Sequence, residues 1–234
     1  MKYKKILLKV SGEAFANESG NGAGKQALEN FTNQLKEVLM IGAKVALVCG
    51  GGNFWRERDF RGLNIPRAYS DEVGMMATVL NGLILKSYFE QNGVPSIIFS
   101  AIPGGKSTKD YSIRKAKEIL GENKVVILTG GTGNPFFTTD SGAVLRALEL
   151  DCDVVLKGTK VDGVFDSDPF KNPDAQKFDE ITYEDAINKN LRVLDKTAFA
   201  LALEKRIPLI VFDVFKKGNL KKVVEGEKIG TLVK

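Results

Sequence analysis

Three glycine-rich stretches each follow an apolar run with the character of a buried strand. They are Ser11-Gly12 after Lys4–Val10, Gly50-Gly51-Gly52 after Lys44–Cys49, and Gly130-Gly131-Thr132-Gly133 after Val125–Leu128. Glycine lets backbone N–H groups approach phosphate oxygens, and in open α/β sheets ligands gather at the carboxyl ends of strands. One such loop is ordinary turn punctuation; three at equivalent places point to an anionic ligand. Lys9 precedes the first loop and Arg56 follows the second. Each alone reads as a solvated charge, whereas phosphoryl transfer needs cations set against the charge on the moving group. Past the third loop, Thr138-Thr139-Asp140-Ser141 opens a helix, whose N–H groups and dipole favour an anion. Asp71 and Asp140 both stand where helices begin, so capping is the ordinary reading of each.

Strands and helices alternate around these loops. Ser96–Phe99, Val154–Leu156, Leu209–Phe212 and Thr231–Val233 join the three strands above, and Val161–Phe165 reads as a short hairpin or strand. Lys25–Ile41 carries Leu28, Phe31, Leu35, Val38 and Leu39 on one helical stripe, ended by Gly42. A long helix is expected from an N-cap at Asp71 to about Gln91. Shorter helices are expected over Asp110–Leu120, after Thr138–Ser141 (with Ala143, Ala147 and Leu148 sharing a face), and over Tyr183–Asn188, Asp195–Lys205 and Asn219–Val224. Ser11-Gly12-Glu13 reads as a turn; Asn17–Gly24, Glu57–Tyr69 and Asp166–Lys177 read as loops. The alternation predicts an α/β sheet covered by helices on both faces.

Composition narrows the function. Hydrophobic residues make up 43% of the 234, enough for a sizeable core. The net charge of +5 comes with no run of more than two Lys or Arg, so a nucleic-acid partner has little support and a small anion suits the balance. There is no histidine, which removes the usual general base and the commonest metal ligand. No set of carboxylates has the spacing of a closed metal cage. Cys49 and Cys152 sit at the ends of apolar runs and read as buried thiols. No segment has the length of a membrane span, and MKYKKILLKV has too short an apolar run for a signal peptide; the expectation is a cytoplasmic protein.

The stretches GTGNPFFTTDSGA and VVLKGTKVDGVFDSDP, with LLKVSGEAF and VCGGGNFWR upstream, closely resemble the bacterial uridylate kinases of the amino-acid kinase superfamily. The resemblance runs from about Lys5 to the C-terminus. It implies a three-layer αβα sandwich with a mostly parallel sheet. It also implies one domain over 1–234, with an acceptor half of roughly 1–150 and an ATP half of roughly 151–234. The implied activity is transfer of the γ-phosphate of ATP to UMP, giving UDP and ADP.

By the same resemblance, Lys9, Val10, Ser11, Gly12, Gly52, Arg56, Thr159, Phe165 and Asp168 bind ATP, the last three holding adenine and ribose. Gly51, Asp71, Thr132, Gly133, Asn134, Pro135, Phe136, Phe137, Thr138 and Thr139 bind UMP, with Asp71 on the ribose hydroxyls. Lys9, Arg56 and Asp140 are the implied catalytic residues: the two cations meet the γ-phosphate, and Asp140 organises Lys9 and Mg²⁺. Phe136 and Phe137 are core residues, or one of them stacks near the base. Mg²⁺ arrives with ATP rather than in a protein cage. A homohexamer is implied, with GTP activating and UTP inhibiting, although Asn17–Gly22 departs from the family's effector segment.

The acceptor explains the missing histidine. A nucleoside monophosphate already presents an anionic oxygen, so no strong base is needed and alignment with charge neutralisation carries the reaction. Two local decoys fail. Gly131-x-Gly133 lacks the third glycine of a dinucleotide fingerprint, since position 136 is Phe. Gly105-Lys106-Ser107 looks like the end of a P-loop, but position 100 is Ser where that motif needs Gly. Two other functions compete with this one: a relative that phosphorylates a carboxylate or carbamate, against which the GNPFFTTD stretch argues, and a non-catalytic nucleotide-binding regulator, against which Lys9, Arg56, Asp71, Asp140 and Asp168 together argue.

Overall fold

Strand β1 (Lys5–Val10) alternates its side chains between two apolar layers, and both layers are closed by helices. The computed structural model that shows this describes residues 1–56, 62–191 and 193–234. After β1, a 3₁₀ turn over Gly12–Phe15 replaces the simple turn expected there. Helix α1 (Lys25–Met40) buries Leu28, Phe31, Leu35 and Val38, as its stripe predicts, and Gly42 at φ 88° lets the chain reverse into β2 (Lys44–Cys49). Each such apolar side chain, once buried, contributes roughly 1.5–3 kcal/mol.

Helix α2 spans Arg67–Gln91 and starts a turn earlier than Asp71. Pro66 is its N-cap, with φ −56° already suited to a helix start, and no side chain caps it. The expected loop Glu57–Tyr69 therefore ends before Arg67, and its residues 57–61 lie outside the described residues. Next come β3 (Ser96–Ser100), β4 (Lys109–Asp110), α3 (Ile113–Gly121), β5 (Val125–Thr129), α4 (Thr139–Glu149) and β6 (Val154–Thr159). Helix α3 does not begin at Asp110, because Lys109 and Asp110 pair with Phe99 and Ser100 at the sheet edge. The hairpin signal resolves into β7 (Val164–Phe165) against β8 (Lys177–Phe178), a separate two-stranded ribbon. The chain ends with β9 (Glu180–Ile181), α5 (Tyr183–Asn188), α6 (Lys196–Lys205), β10 (Leu209–Asp213), α7 (Asn219–Glu225) and β11 (Thr231–Val233).

Among the described residues, nine strands form one sheet in the order β4-β3-β5-β2-β1-β6-β10-β11-β9. Every neighbouring pair is parallel except β10 with β11. Ile6, Leu8 and Val10 share one core layer with α1, α2 and α7; Leu7 shares the other with α3, α4, α5 and α6. This is the expected αβα sandwich. The order reverses at β1: the chain moves outward through β2, then returns from β5 to β6 on the far side. Such a switch point opens a crevice at the carboxyl ends of the strands, where the three glycine loops lie. Both cysteines are buried and unpaired, and burial pushes the Cys152 thiol up to about 12. Among the described residues, no helix is long and apolar enough to cross a membrane.

Candidate active site

Strand register brings Lys9 and Lys157 together. β1 and β6 are parallel neighbours with Lys9 opposite Lys157. Each lies two residues beyond a core side chain of the α4 layer, Leu7 and Val155, so both ammonium groups emerge on the α4 side. The start of α4 provides their partner. Thr138 is the N-cap, its hydroxyl accepting from the N–H groups of Asp140 (3.1 Å) and Ser141 (3.3 Å). Asp140 is therefore not the cap, and its carboxylate is free for other work. Its Oδ1 lies 2.7 Å from Lys9 Nζ and its Oδ2 2.7 Å from Lys157 Nζ. Lys157 also donates to the Val193 carbonyl at 2.5 Å.

The three side chains are only 13–16% exposed. Burial pushes the Asp140 carboxyl up, but Lys9 and Lys157 outweigh it and hold the group below the usual carboxylate range. Burial also pushes the Lys157 ammonium below its ordinary value, with Asp140 opposing that shift. Two ammonium groups contact one carboxylate, a local excess of positive charge that the Asp195 carboxylate offsets in part from farther away. Partial exclusion of water there strengthens its pull on an anion. Asp140 Oδ1 is buried, and its contact is the 2.7 Å ion pair with Lys9.

Two cavities flank this cluster. The larger, about 500 Å³, is lined by Lys157, Thr159, Phe165 and Asp168 among others. The smaller, about 250 Å³, is lined by Gly51, Gly52, Asp71, Thr132, Asn134, Phe137, Thr138 and Thr139, together with Trp55, Ser70 and Thr78. Lys157 lines the larger cavity and Thr139, the neighbour of Asp140 in the chain, lines the smaller; Lys9 and Asp140 themselves are in neither lining. Gly52, expected on the ATP side, lines the smaller cavity. Gly133, Pro135 and Phe136 do not line it, and Phe136 is 67% exposed. Val10 is buried in the core and Ser11 leads into the 3₁₀ turn.

Packing under the loops explains two of the glycines. A Cβ on Gly12 would lie 2.3 Å from both the Gly50 carbonyl and Asn53 Oδ1. A Cβ on Gly51 would lie 2.7 Å from that of Ala77 and 2.9 Å from the Gly74 carbonyl. Asn53 and Asn81 hydrogen-bond each other beneath these loops, and Asn81 Nδ2 donates to the Gly50 carbonyl at 2.8 Å. The first two glycine loops thus lock together at the carboxyl ends of β1 and β2.

Arg56 is anchored on its own loop, with Nε 3.0 Å from Glu13 Oε1 and 2.6 Å from the Gly52 carbonyl. Asp71, placed in the second turn of α2 rather than at its cap, pairs with Arg67 at 2.9 Å and accepts from the Phe136 N–H at 2.8 Å. It ties α2 to the third loop across the smaller cavity. Among the described residues, no group of three or more His, Cys, Asp or Glu could hold a metal ion.

A model of the amino acid kinase family matches residues 4–213. The chain belongs to the amino acid kinase family. Solved structures of this fold agree over the full chain. A UMP kinase from Bacillus anthracis is 33% identical with a TM-score of 0.96, covering 100% of this chain and 96% of that one. A UMP kinase from Ureaplasma parvum is 36% identical with a TM-score of 0.93, covering 100% and 99%. A uridylate kinase from Archaeoglobus fulgidus is 28% identical with a TM-score of 0.74, covering 100% of both chains.

Within this amino acid kinase fold, Lys157 is the functional candidate that the sequence reading passed over. Its signal was present: one lysine inside the apolar run Val154–Gly158, at the position matching Lys9 on a neighbouring strand. Asp195 was read only as the start of a helix. It does cap α6, but it also accepts from the Ser141 hydroxyl at 2.9 Å and from the Thr138 hydroxyl.

The false P-loop lies elsewhere, between β3 and β4, with Lys106 exposed and Thr108 Oγ1 donating to the Gly105 carbonyl at 2.9 Å. Lys106→Ala should leave KM for ATP within about two-fold, since an exposed charge contributes little. A steady-state titration of ATP checks this; a loss of kcat like that expected for Lys9→Ala would move the ATP site to this loop.

Proposed function

We infer that this chain is a UMP kinase, transferring the γ-phosphate of ATP to UMP to give UDP and ADP. The carrying observation is the Lys9–Asp140–Lys157 cluster, with Lys157 in the wall of the larger cavity and Thr139, next to Asp140, in the wall of the smaller. The larger cavity suits ATP, with Thr159, Phe165 and Asp168 about the nucleoside; the smaller suits UMP, with Asp71 toward the ribose. A phosphate oxygen of UMP attacks the γ-phosphorus in line while the bond to ADP breaks. Lys9 and Lys157 hold the transferring group between them, and Asp140 keeps both ammonium groups aimed and charged.

Arg56 reaches the phosphates by leaving Glu13. Mg²⁺ would arrive with ATP, and the Asp140 carboxylate, the acidic member of the cluster, would help orient it. When bound, the ion neutralises phosphate charge. The acceptor and ATP halves, roughly 1–150 and 151–234, meet along the switch-point crevice and act as one domain.

The setting is cytoplasmic, with the chain assembled as a homohexamer. An apolar face of α2 supports an interface between copies: Tyr69, Val73, Met76 and Leu80 recur at helical spacing and are all at least 40% exposed. GTP and UTP are the proposed activating and inhibiting effectors. A coupled ADP-release assay with UMP, CMP and acetylglutamate, repeated with GTP and UTP, tests the reading. Turnover of UMP is expected; turnover of acetylglutamate without UMP would overturn it.

The pH dependence of kcat/KM should show two limbs. Asp140 is held ionised by its lysines, so the acid limb should follow the UMP phosphate, whose second pKa is about 6. An analogue with a more acidic phosphonate should move that limb down; an unmoved limb would assign it to the enzyme. Lys157 must be protonated to hold phosphate, and burial lowers its pKa. Activity should therefore fall as pH rises through that lowered value, earlier than for an ordinary lysine, and Lys157→Arg should move the alkaline limb upward.

A further inference from the structure

We infer that Arg146 is a positioning residue for the acceptor, holding the third glycine loop through the Gly131 carbonyl. This rests on the kinase reading above and adds a residue that touches neither nucleotide. Arg146 lies in the last turn of α4 and is 6% exposed. A buried guanidinium is costly unless it is paired, and here two acceptors take its donors while a ring covers its plane. Nη1 lies 2.6 Å from Glu149 Oε2, the planar group stacks on Tyr111 at 3.8 Å from the ring centre, and Nη2 donates to the Gly131 carbonyl at 3.2 Å. Tyr111 donates its own hydroxyl to Glu149 at 2.6 Å, so the ring and the carboxylate grip the guanidinium from two sides.

That grip ends at the acceptor. Gly131 and Thr132 line the smaller cavity, and Thr132 also lines the open pocket of about 310 Å³ where Arg146 and Tyr111 meet. Gly130 and Gly131 stand at φ 74° and 58°, a backbone with few side-chain constraints of its own. The peptide joining Gly131 to Thr132 is trans, so anchoring its carbonyl also sets the direction of the Thr132 N–H. A glycine loop held in this way presents one arrangement of hydrogen-bonding groups to the acceptor instead of several. Among the described residues Arg146 is not part of the larger cavity's lining, so its influence should fall mainly on one substrate.

The test is a split between Michaelis constants. Arg146→Met keeps the packing of the stem and removes the fork. It should raise KM for UMP about tenfold, leave KM for ATP within about two-fold, and change kcat little. Arg146→Lys keeps one charged donor and should fall between the two. KM for UMP within two-fold of wild type, or both constants rising together with a lowered Tm, would assign Arg146 to fold stability alone and overturn the inference. Should Arg146→Met fail to fold, Glu149→Gln loosens the guanidinium without emptying its space; the same split, smaller, supports the inference, and equal effects on both constants overturn it. Wild-type protein is assayed first with all three acceptors. If it uses an acceptor other than UMP, the function reading fails by itself, and the split is then read on the acceptor it does use.

Discussion

Lys9→Ala should lower kcat by roughly 10²-fold or more while the protein stays folded. The geometry supports both halves of that expectation. Lys9 Nζ is one of two ammonium groups on Asp140, and its side chain is 13% exposed. The transferring phosphoryl group carries its charge on oxygens that must be neutralised as the bond to ADP breaks, and a poorly solvated cation does this at little cost of reorganisation. Removing it leaves one ammonium group where there were two. Stability should hold, because Asp140 keeps its 2.7 Å contact with Lys157 and no carboxylate is left buried alone. Lys157→Ala should be comparably harmful to kcat, for the mirror-image reason. Arg56→Ala should cost less, because Arg56 rests on Glu13 and would have to rotate away from it to meet a phosphate. Single-turnover kinetics with circular dichroism on each variant provide the check. A few-fold loss for Lys9→Ala in a folded protein would place the γ-phosphate somewhere other than this cluster.

UMP should be preferred to CMP by about 10²-fold or more in kcat/KM. The two bases differ by exchanging a carbonyl for an amino group and a ring N–H for a bare nitrogen, so donors and acceptors swap. A cavity tolerates that swap only if its own hydroxyls and amides can turn over. Three of its hydroxyls are committed. Thr132 Oγ1 donates to the Asn134 carbonyl and accepts from the Asn134 N–H, each at 3.2 Å. Thr138 accepts from two N–H groups of α4 and donates to Asp195, and the Thr78 hydroxyl donates to the Met75 carbonyl while accepting from the Gly130 N–H. A wrong base would leave its polar groups unpaired in the cavity, which costs more than the loss of one hydrogen bond. Parallel titrations of UMP and CMP at saturating ATP settle the ratio; equal values would remove uridine specificity even if kinase activity survived.

Much of this was legible before any tertiary contact was known. The stripe of α1, the strands β1, β2 and β5, and the helix over Tyr183–Asn188 match their expected bounds to within a residue. Each is written in a short local period. Where tertiary pairing competed, the local signal misled. Asp110 read as the start of a helix but, with Lys109, adds to the sheet edge at Phe99 and Ser100. Asp71 read as a cap because an acidic residue preceded a long helical pattern, yet Pro66 opens the helix and Asp71 holds the Phe136 N–H instead. The short strands Glu180–Ile181 and Lys177–Phe178 have no periodicity long enough to read.

By itself the sequence determined the alternating α/β frame and the three glycine loops, because strand length, helical stripe and glycine placement are local properties. Its long motifs also determined the family. Only the tertiary structure decided which charges meet. Lys9 and Lys157 share a point because β1 and β6 are hydrogen-bonded neighbours in a register that no local pattern encodes. Asp140 joins them because Thr138 takes over the capping of α4, which leaves a carboxylate free at the end of a helix packed against both strands. A charge in the sequence is only a charge; its partner, burial and proton affinity belong to the fold that surrounds it.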